Sequence, residues 1–346
     1  MALSLPGANH LAGLLHPAGY HGGDRTNQYF EGWYVKLVSA DREARLAVIP
    51  GIFLAPEENG PHEAFVQVLD GATGKSWYVA YPREEFAADA DSFDLQVGPN
   101  RFSAEGVHLD LPDVGLFADI AFTTPLDGWP VRVTSPGAMG PYAFVPFMEC
   151  YHGVVSFAHG LAGTLTMGDR TWDLTGGKGY IEKDWGKGFP AGYLWMHSNH
   201  FDHPGTSIMA SIALIPWMRG IFRGVLIGLK HQGQLYTFAT YNRSRTKYIG
   251  VDDKRVRWTV RRGDGYRLDI TAERSVGALL HAPIRTEMHK RVEETLNAVL
   301  HVKLTAPDGV VVVADTGTVA GLEVHGDIGQ LLTTGDRMGI LRRPGR

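Results

Sequence analysis

The chain has 346 residues, enough for one large domain or two ordinary ones, and 44% hydrophobic residues to fill their cores. A net charge of −4 argues against a nucleic-acid binder, which usually carries a basic field. The single cysteine, Cys150, excludes an intramolecular disulfide, fits a reducing compartment, and reads as a small buried hydrophobe in preference to a nucleophile.

The first 25 residues lack the basic start and unbroken apolar core of a signal peptide, and no window approaches the ~20 apolar residues of a membrane span. The expectation is a soluble, cytoplasmic protein. Gln28–Tyr34 is dense in aromatics. As a strand it turns Phe30, Gly32 and Tyr34 one way, and Glu31 and Trp33 the other. Glu31 reads either as a carboxylate at a pocket rim or as an inward salt-bridge partner for Lys183. Gly71–Ser76 looks like a phosphate loop, but Leu69 stands where the first glycine is required, so a hairpin turn is expected. A dinucleotide fingerprint and a nucleophile elbow are both missing, and His62-Glu63 has no second histidine at zincin spacing.

Turn signals recur along the whole chain, at Asp70-Gly71, Asp127-Gly128, Gly168-Asp169, Gln232-Gly233 and Asp308-Gly309. Short runs rich in β-branched and aromatic residues lie between them, which predicts an all-β meander of antiparallel hairpins. Met148–Ser156 sets Cys150 and His152 opposite Glu149, Tyr151 and Gly153. A division near Gly176-Gly177 gives domains 1–177 and 178–346. Just beyond it, Gly179–Phe201 places Tyr180, Glu182 and Asp184 on one strand face, and Ile181, Lys183 and Trp185 on the other. The next strand is expected to align Tyr193, Trp195, His197, Asn199 and Phe201 on a single face. Such a face, large in aromatic area and polar at His197 and Asn199, suits a pocket where carbocation character develops. The competing reading makes Glu182, Lys183 and Asp184 a buried ion network, with Trp185 a plug. His197, His200 and His203 are not expected to bind a metal, because His197 and His200 point to opposite faces of a strand. His281–Glu294 is the one stretch considered for a helix. In the following strand Leu296, Ala298, Leu300, Val302 and Leu304 alternate with polar residues.

Phe30-Glu-Gly-Trp-Tyr34 and Glu182-Lys-Asp-Trp-Gly186, the latter followed by Phe189-Pro190, resemble the two signatures of the tocopherol cyclase family. Arg291–Ala298 and Ala320–Val324 resemble further family segments. The family's usual E-K-N-W-G has Asp184 at its third position here. The resemblance implies two lipocalin-like antiparallel β-domains packed together, a fold similar to that of carotenoid hydratases and certain pericyclases. It also implies ring closure on a prenylated quinol: an acid protonates the side-chain alkene and the phenolic oxygen captures the cation, without nicotinamide, flavin or metal. On this reading Glu182, Asp184, Glu31 and His197 are the catalytic candidates. Trp33, Tyr34, Lys183, Trp185, Tyr193, Trp195, Asn199 and His152 are the substrate-binding candidates. The expected partner is a hydrophobic small molecule, with peripheral membrane contact open and no nucleic acid. The alternatives are a lipocalin-like carrier and an isoprenoid alkene hydratase or pericyclase.

Overall fold

The computed structural model describes residues 13–57, 59–217, 220–284 and 286–336. Antiparallel strands dominate, as the recurring hairpin turns require. The first twelve are β1 (Tyr29–Val38), β2 (Arg45–Leu54), β3 (His62–Asp70), β4 (Lys75–Pro82), β5 (Phe86–Ala88), β6 (Asp94–Val97), β7 (Asn100–Ser103), β8 (Gly106–Leu111), β9 (Leu116–Phe122), β10 (Cys150–Met167), β11 (Arg170–Asp173) and β12 (Gly177–Gly186). They form one sheet in the order β4-β3-β2-β1-β12-β10-β9-β8-β7-β6-β5, with β11 on β10.

The remaining strands are β13 (Gly192–Ser198), β14 (His200–Phe201), β15 (Ser207–Trp217), β16 (Gly220–His231), β17 (Gln234–Ala239), β18 (Arg245–Val251), β19 (Arg255–Arg261), β20 (Arg267–Glu273), β21 (Ala278–Pro283), β22 (Met288–Thr305) and β23 (Val311–Gly326). They form a second sheet in the order β17-β16-β15-β13-β23-β22-β20-β19-β18, with β14 on β23 and β21 on β22. Neither path closes on itself among the described residues. A short helix, α1 (Ile328–Thr333), follows β23, its first turn capped by the Asp327 carboxylate accepting from the Gln330 N–H at 2.8 Å.

Each sheet encloses its own apolar core, built by the period-two alternation of its strands. Trp33, Val35, Leu37, Val48, Val66 and Ile181 belong to the first, and Leu194, Met196, Ile227, Trp258, Leu300 and Leu322 to the second. The alternation expected from Leu296 to Leu304 is observed, with all five apolar side chains buried. The Gly71–Gly74 segment is the β3–β4 turn, tied by the Asp70 carboxylate accepting from the Ala72 N–H and the Thr73 hydroxyl.

Two expectations shift. The chain divides into Met1–Phe189 with Leu280–Arg291, and Pro190–Leu279 with Val292–Arg346, so the division falls at Phe189–Pro190 instead of after residue 177. The reason is that β12 is a central strand of the first sheet, hydrogen-bonded to β1 and β10 on its two edges. Within 281–294, residues 281–283 and 288–294 are extended in β21 and β22, not helical. The buried Gln67 amide holds both backbone groups of His281: its Nε2 donates to the His281 carbonyl at 3.1 Å, and its Oε1 accepts from the His281 N–H at 2.6 Å. A side chain that satisfies the backbone in this way removes the need for helical hydrogen bonds.

Candidate active site

Strand β12 lies between β1 and β10, and the register sets Glu31 opposite Trp185, Trp33 opposite Lys183, Tyr34 opposite Glu182, and His152 opposite Asp184. Because residues directly opposite share a face, the charged run of β12 is divided between two environments.

On the core side, Lys183 and Glu31 form an ion pair, with both side chains wholly inaccessible to solvent. Lys183 also donates to the Gly19 carbonyl, approaches His21 Nδ1 at 2.7 Å, and lies 4.8 Å and 4.7 Å from the ring centres of Trp33 and Trp185. Glu31 accepts from the Tyr29 hydroxyl and the His21 backbone N–H. The His21 and Tyr151 rings stack on Trp185 at 4.4 Å and 5.5 Å, and Trp33 Nε1 donates to the Ala18 carbonyl at 3.0 Å. Burial drives the Lys183 ammonium down to about 8 against the attraction of Glu31. Burial alone would raise the Glu31 carboxyl, but Lys183 and His21 hold it below its ordinary value. Glu31 is therefore held as a paired anion, in the arrangement that the sequence offered as its alternative, an inward partner to Lys183. Trp33 and Lys183 are enclosed in the same lock. The expected network of Glu182, Lys183 and Asp184 is corrected, since alternation puts Lys183 on the other face from both carboxylates.

On the opposite face, His152 bridges the two remaining carboxylates. Its Nδ1 lies 3.0 Å from Asp184 Oδ1 and its Nε2 lies 3.4 Å from Glu182 Oε2. The Tyr180 hydroxyl donates to Glu182, Cys150 Sγ lies 3.7 Å from Asp184, and the Tyr34 ring meets Tyr180 edge-on at 6.3 Å. Burial would lower the His152 imidazole, but Asp184 and then Glu182 outweigh it and raise the pKa to about 9. Burial, with Glu182, keeps Tyr180 a phenol; burial, with Asp184, keeps Cys150 a thiol. The Asp184 side chain is 28% exposed, against 13% for His152 and 5% for Glu182. His152 also borders a narrow cleft lined by Pro17, His21, Met139, Tyr151 and Trp185. The motif's last residue, Gly186, has φ +148°, and a Cβ there would come within 2.3 Å of the Glu149 carbonyl, so glycine is required. Donor atoms of His152, Glu182 and Asp184 all fall within 4.8 Å of one another, a spacing a divalent cation can bridge.

In the second unit, Tyr193, Trp195 and His197 are buried on the face of β13 opposite Leu194 and Met196. The Tyr193 hydroxyl donates to Glu323 at 2.6 Å, and the register places Glu323 opposite both Trp195 and Glu294. The single face expected to run on to Phe201 does not persist. Asn199 falls in the break between β13 and β14, Val319 on the neighbouring strand takes φ +48°, and Phe201 packs into the core with Leu194. His203 pairs with Asp315 at 3.2 Å.

The structure thus joins His152, Glu182 and Asp184 with Tyr34 and Tyr180, joins Glu31 and Lys183 with Trp33 and Trp185, and carries Tyr193, Trp195, His197 and Asn199 in the second unit. Sequence reasoning missed His21, which reaches Lys183 from a loop far along the chain. It also missed the part played by Tyr180, although that residue's shared face with Glu182 was legible.

The sequence matches the family described as tocopherol cyclase-like over residues 118–326, more than half of the chain. The chain belongs to the tocopherol cyclase-like family. A maize chloroplastic tocopherol cyclase (Zea mays) is 30% identical over 137 residues, covering 37% of this chain and 28% of that protein. The match to this family includes His152, Glu182 and Asp184, whereas Glu31 precedes it. Among solved structures, CghA with Sch210972 is similar at TM-score 0.55 and 11% identity, covering 86% of this chain and 88% of that one. An AttH from Nitrosomonas europaea is similar at TM-score 0.51 and 15% identity, covering 93% and 97%. At these identities the likeness is one of fold.

Proposed function

We propose that this tocopherol cyclase-like protein is a cytoplasmic, cofactor-independent acid catalyst that closes a ring on a hydrophobic prenylated phenol or quinol. The observation that carries the reading is His152 held between Asp184 and Glu182, in a family whose maize relative is a tocopherol cyclase. At neutral pH the shared proton resides on His152, because two carboxylates favour the imidazolium. It passes across the 3.0 Å contact to Asp184, the most accessible of the three, which delivers it to the side-chain alkene. The phenolic oxygen captures the tertiary cation and its proton returns to the cluster. One C–H and one C–O bond form, one O–H bond and one π bond are lost, and no electron or net proton is consumed. Tyr34, opposite Glu182, offers an aromatic face to the cationic intermediate, while the buried Tyr180 hydroxyl holds Glu182 in place.

The test is incubation of purified protein with a prenylated hydroquinone in heavy water. The expected product is an isomer of the same chemical composition apart from one deuterium, on the carbon that received the proton, in a single configuration. Addition of water would reassign the protein to the hydratases. Cyclised product without deuterium would indicate a pericyclic reaction. Tight binding without conversion would make it a carrier.

A further inference from the structure

Residues 243–267 carry nine Lys or Arg and three Asp, a local excess of six positive charges in a chain whose net charge is −4. They build β18, β19 and the start of β20 in the second unit. The alternation that buries Val256, Trp258 and Val260 turns Arg255, Arg257 and Arg261 to solvent. Register then aligns Arg245, Arg261 and Arg267 in one row across three strands, and like charges in that relation repel. Arg245 donates to the Asp336 carbonyl at 3.0 Å, and Arg267 is paired with Asp269. Arg257 has Asp252 at 3.7 Å. For Arg255 and Arg261, no carboxylate lies within ion-pair distance among the described residues. Exposed Lys247 sits in the bulge of edge strand β18, beside Tyr248, which is 52% exposed.

We propose that this basic sheet face is a docking surface for an anionic lipid bilayer. The face presents two guanidinium groups without an ion-pair partner among the described residues, Arg255 opposite Glu273 and Arg261 between Arg245 and Arg267, within a local excess of six positive charges, and a layer of anionic headgroups supplies their counter-charges together. Tyr248 adds the amphipathic ring that suits a membrane–water boundary. The rest of the chain is net acidic, so the same field that attracts this face repels the others and orients the molecule. The choice of lipid over nucleic acid rests on the reading of the substrate as a prenylated, membrane-soluble compound.

The experiment is co-sedimentation of the full chain, without substrate, with vesicles of phosphatidylcholine alone or mixed with phosphatidylglycerol. Binding is expected only to the mixed vesicles and is lost as salt rises. The triple variant Arg255→Gln/Arg257→Gln/Arg261→Gln should partition on the order of 100-fold more weakly, with an unchanged melting temperature. Equal partition of the two proteins, equal binding to neutral vesicles, or displacement from the vesicles by duplex DNA at the same salt would each overturn the proposal. Vesicle binding by a protein that cyclises nothing would leave the docking surface standing while the reading of the activity fell.

Discussion

The two faces of β12 use the same kinds of residue to opposite ends. Towards the core, one ammonium meets one carboxylate, both fully enclosed, with His21, Tyr29 and the Gly19 carbonyl supplying hydrogen bonds. Towards the other side, two carboxylates share one imidazole, and Asp184 keeps 28% of its side chain accessible. The first arrangement is balanced in charge and closed to solvent, so it resists proton exchange. The second carries an excess of negative charge around one proton and remains within reach of solvent. The difference teaches that charge density along a strand says little about chemistry; whether opposite or like charges share a face says much more.

The largest expected effect separates the faces by activity. Asp184→Asn should lower turnover by about 10²–10⁴-fold, the usual contribution of a positioned acid, with a smaller fall in melting temperature, because the Asp184 carboxylate also stabilises the His152 imidazolium. Early melting with normal specific activity of the folded fraction would show that the outer face is structural too. Next, Lys183→Met should cost about 3–5 kcal/mol of stability in denaturant titrations, because it strands Glu31 in the interior. The double variant Glu31→Leu/Lys183→Met should recover most of that loss. Failure to recover would mean that Lys183 acts chiefly through its aromatic and backbone partners.

A pH experiment comes third. His152 has a folded pKa of about 9, above the ordinary value of 6.5. Its stabilisation is therefore fully present below 6.5 and is lost as pH rises through 9, by about 3 kcal/mol at most. Lys183, lowered to about 8, works in the opposite sense at alkaline pH. The contribution of His152 is thus read as the difference between the parent and His152→Gln; a difference that does not change across this window would break the assignment of the shared proton. The smallest effect sharpens the picture of the lock: Trp33→Phe removes the N–H bonded to the Ala18 carbonyl and should cost about 1 kcal/mol by thermal melting. No change there would limit the role of Trp33 to its ring.

Much of this was legible in the residue order because β-structure has a local period. Alternation correctly separated Lys183 from Glu182 and Asp184, turned Leu296 through Leu304 inward, and paired Cys150 with His152 on one face. The hairpin turns and the Phe30–Tyr34 and Glu182–Gly186 signatures were likewise readable, since each depends on a few consecutive residues. Alternation, however, says which residues share a face and not which neighbours that face will meet. That Lys183 finds Glu31 and His21, that His152 lies between two carboxylates, and that Gln67 holds the backbone of His281 extended all depend on strand order and loop placement. So does the loss of alternation between His197 and Phe201, where Val319 on a neighbouring strand takes a left-handed conformation. The sequence by itself determined the strands, their faces and the family; tertiary structure alone decided which carboxylate is locked and which shares a proton, because strand pairing and loop placement bring together residues up to 214 positions apart.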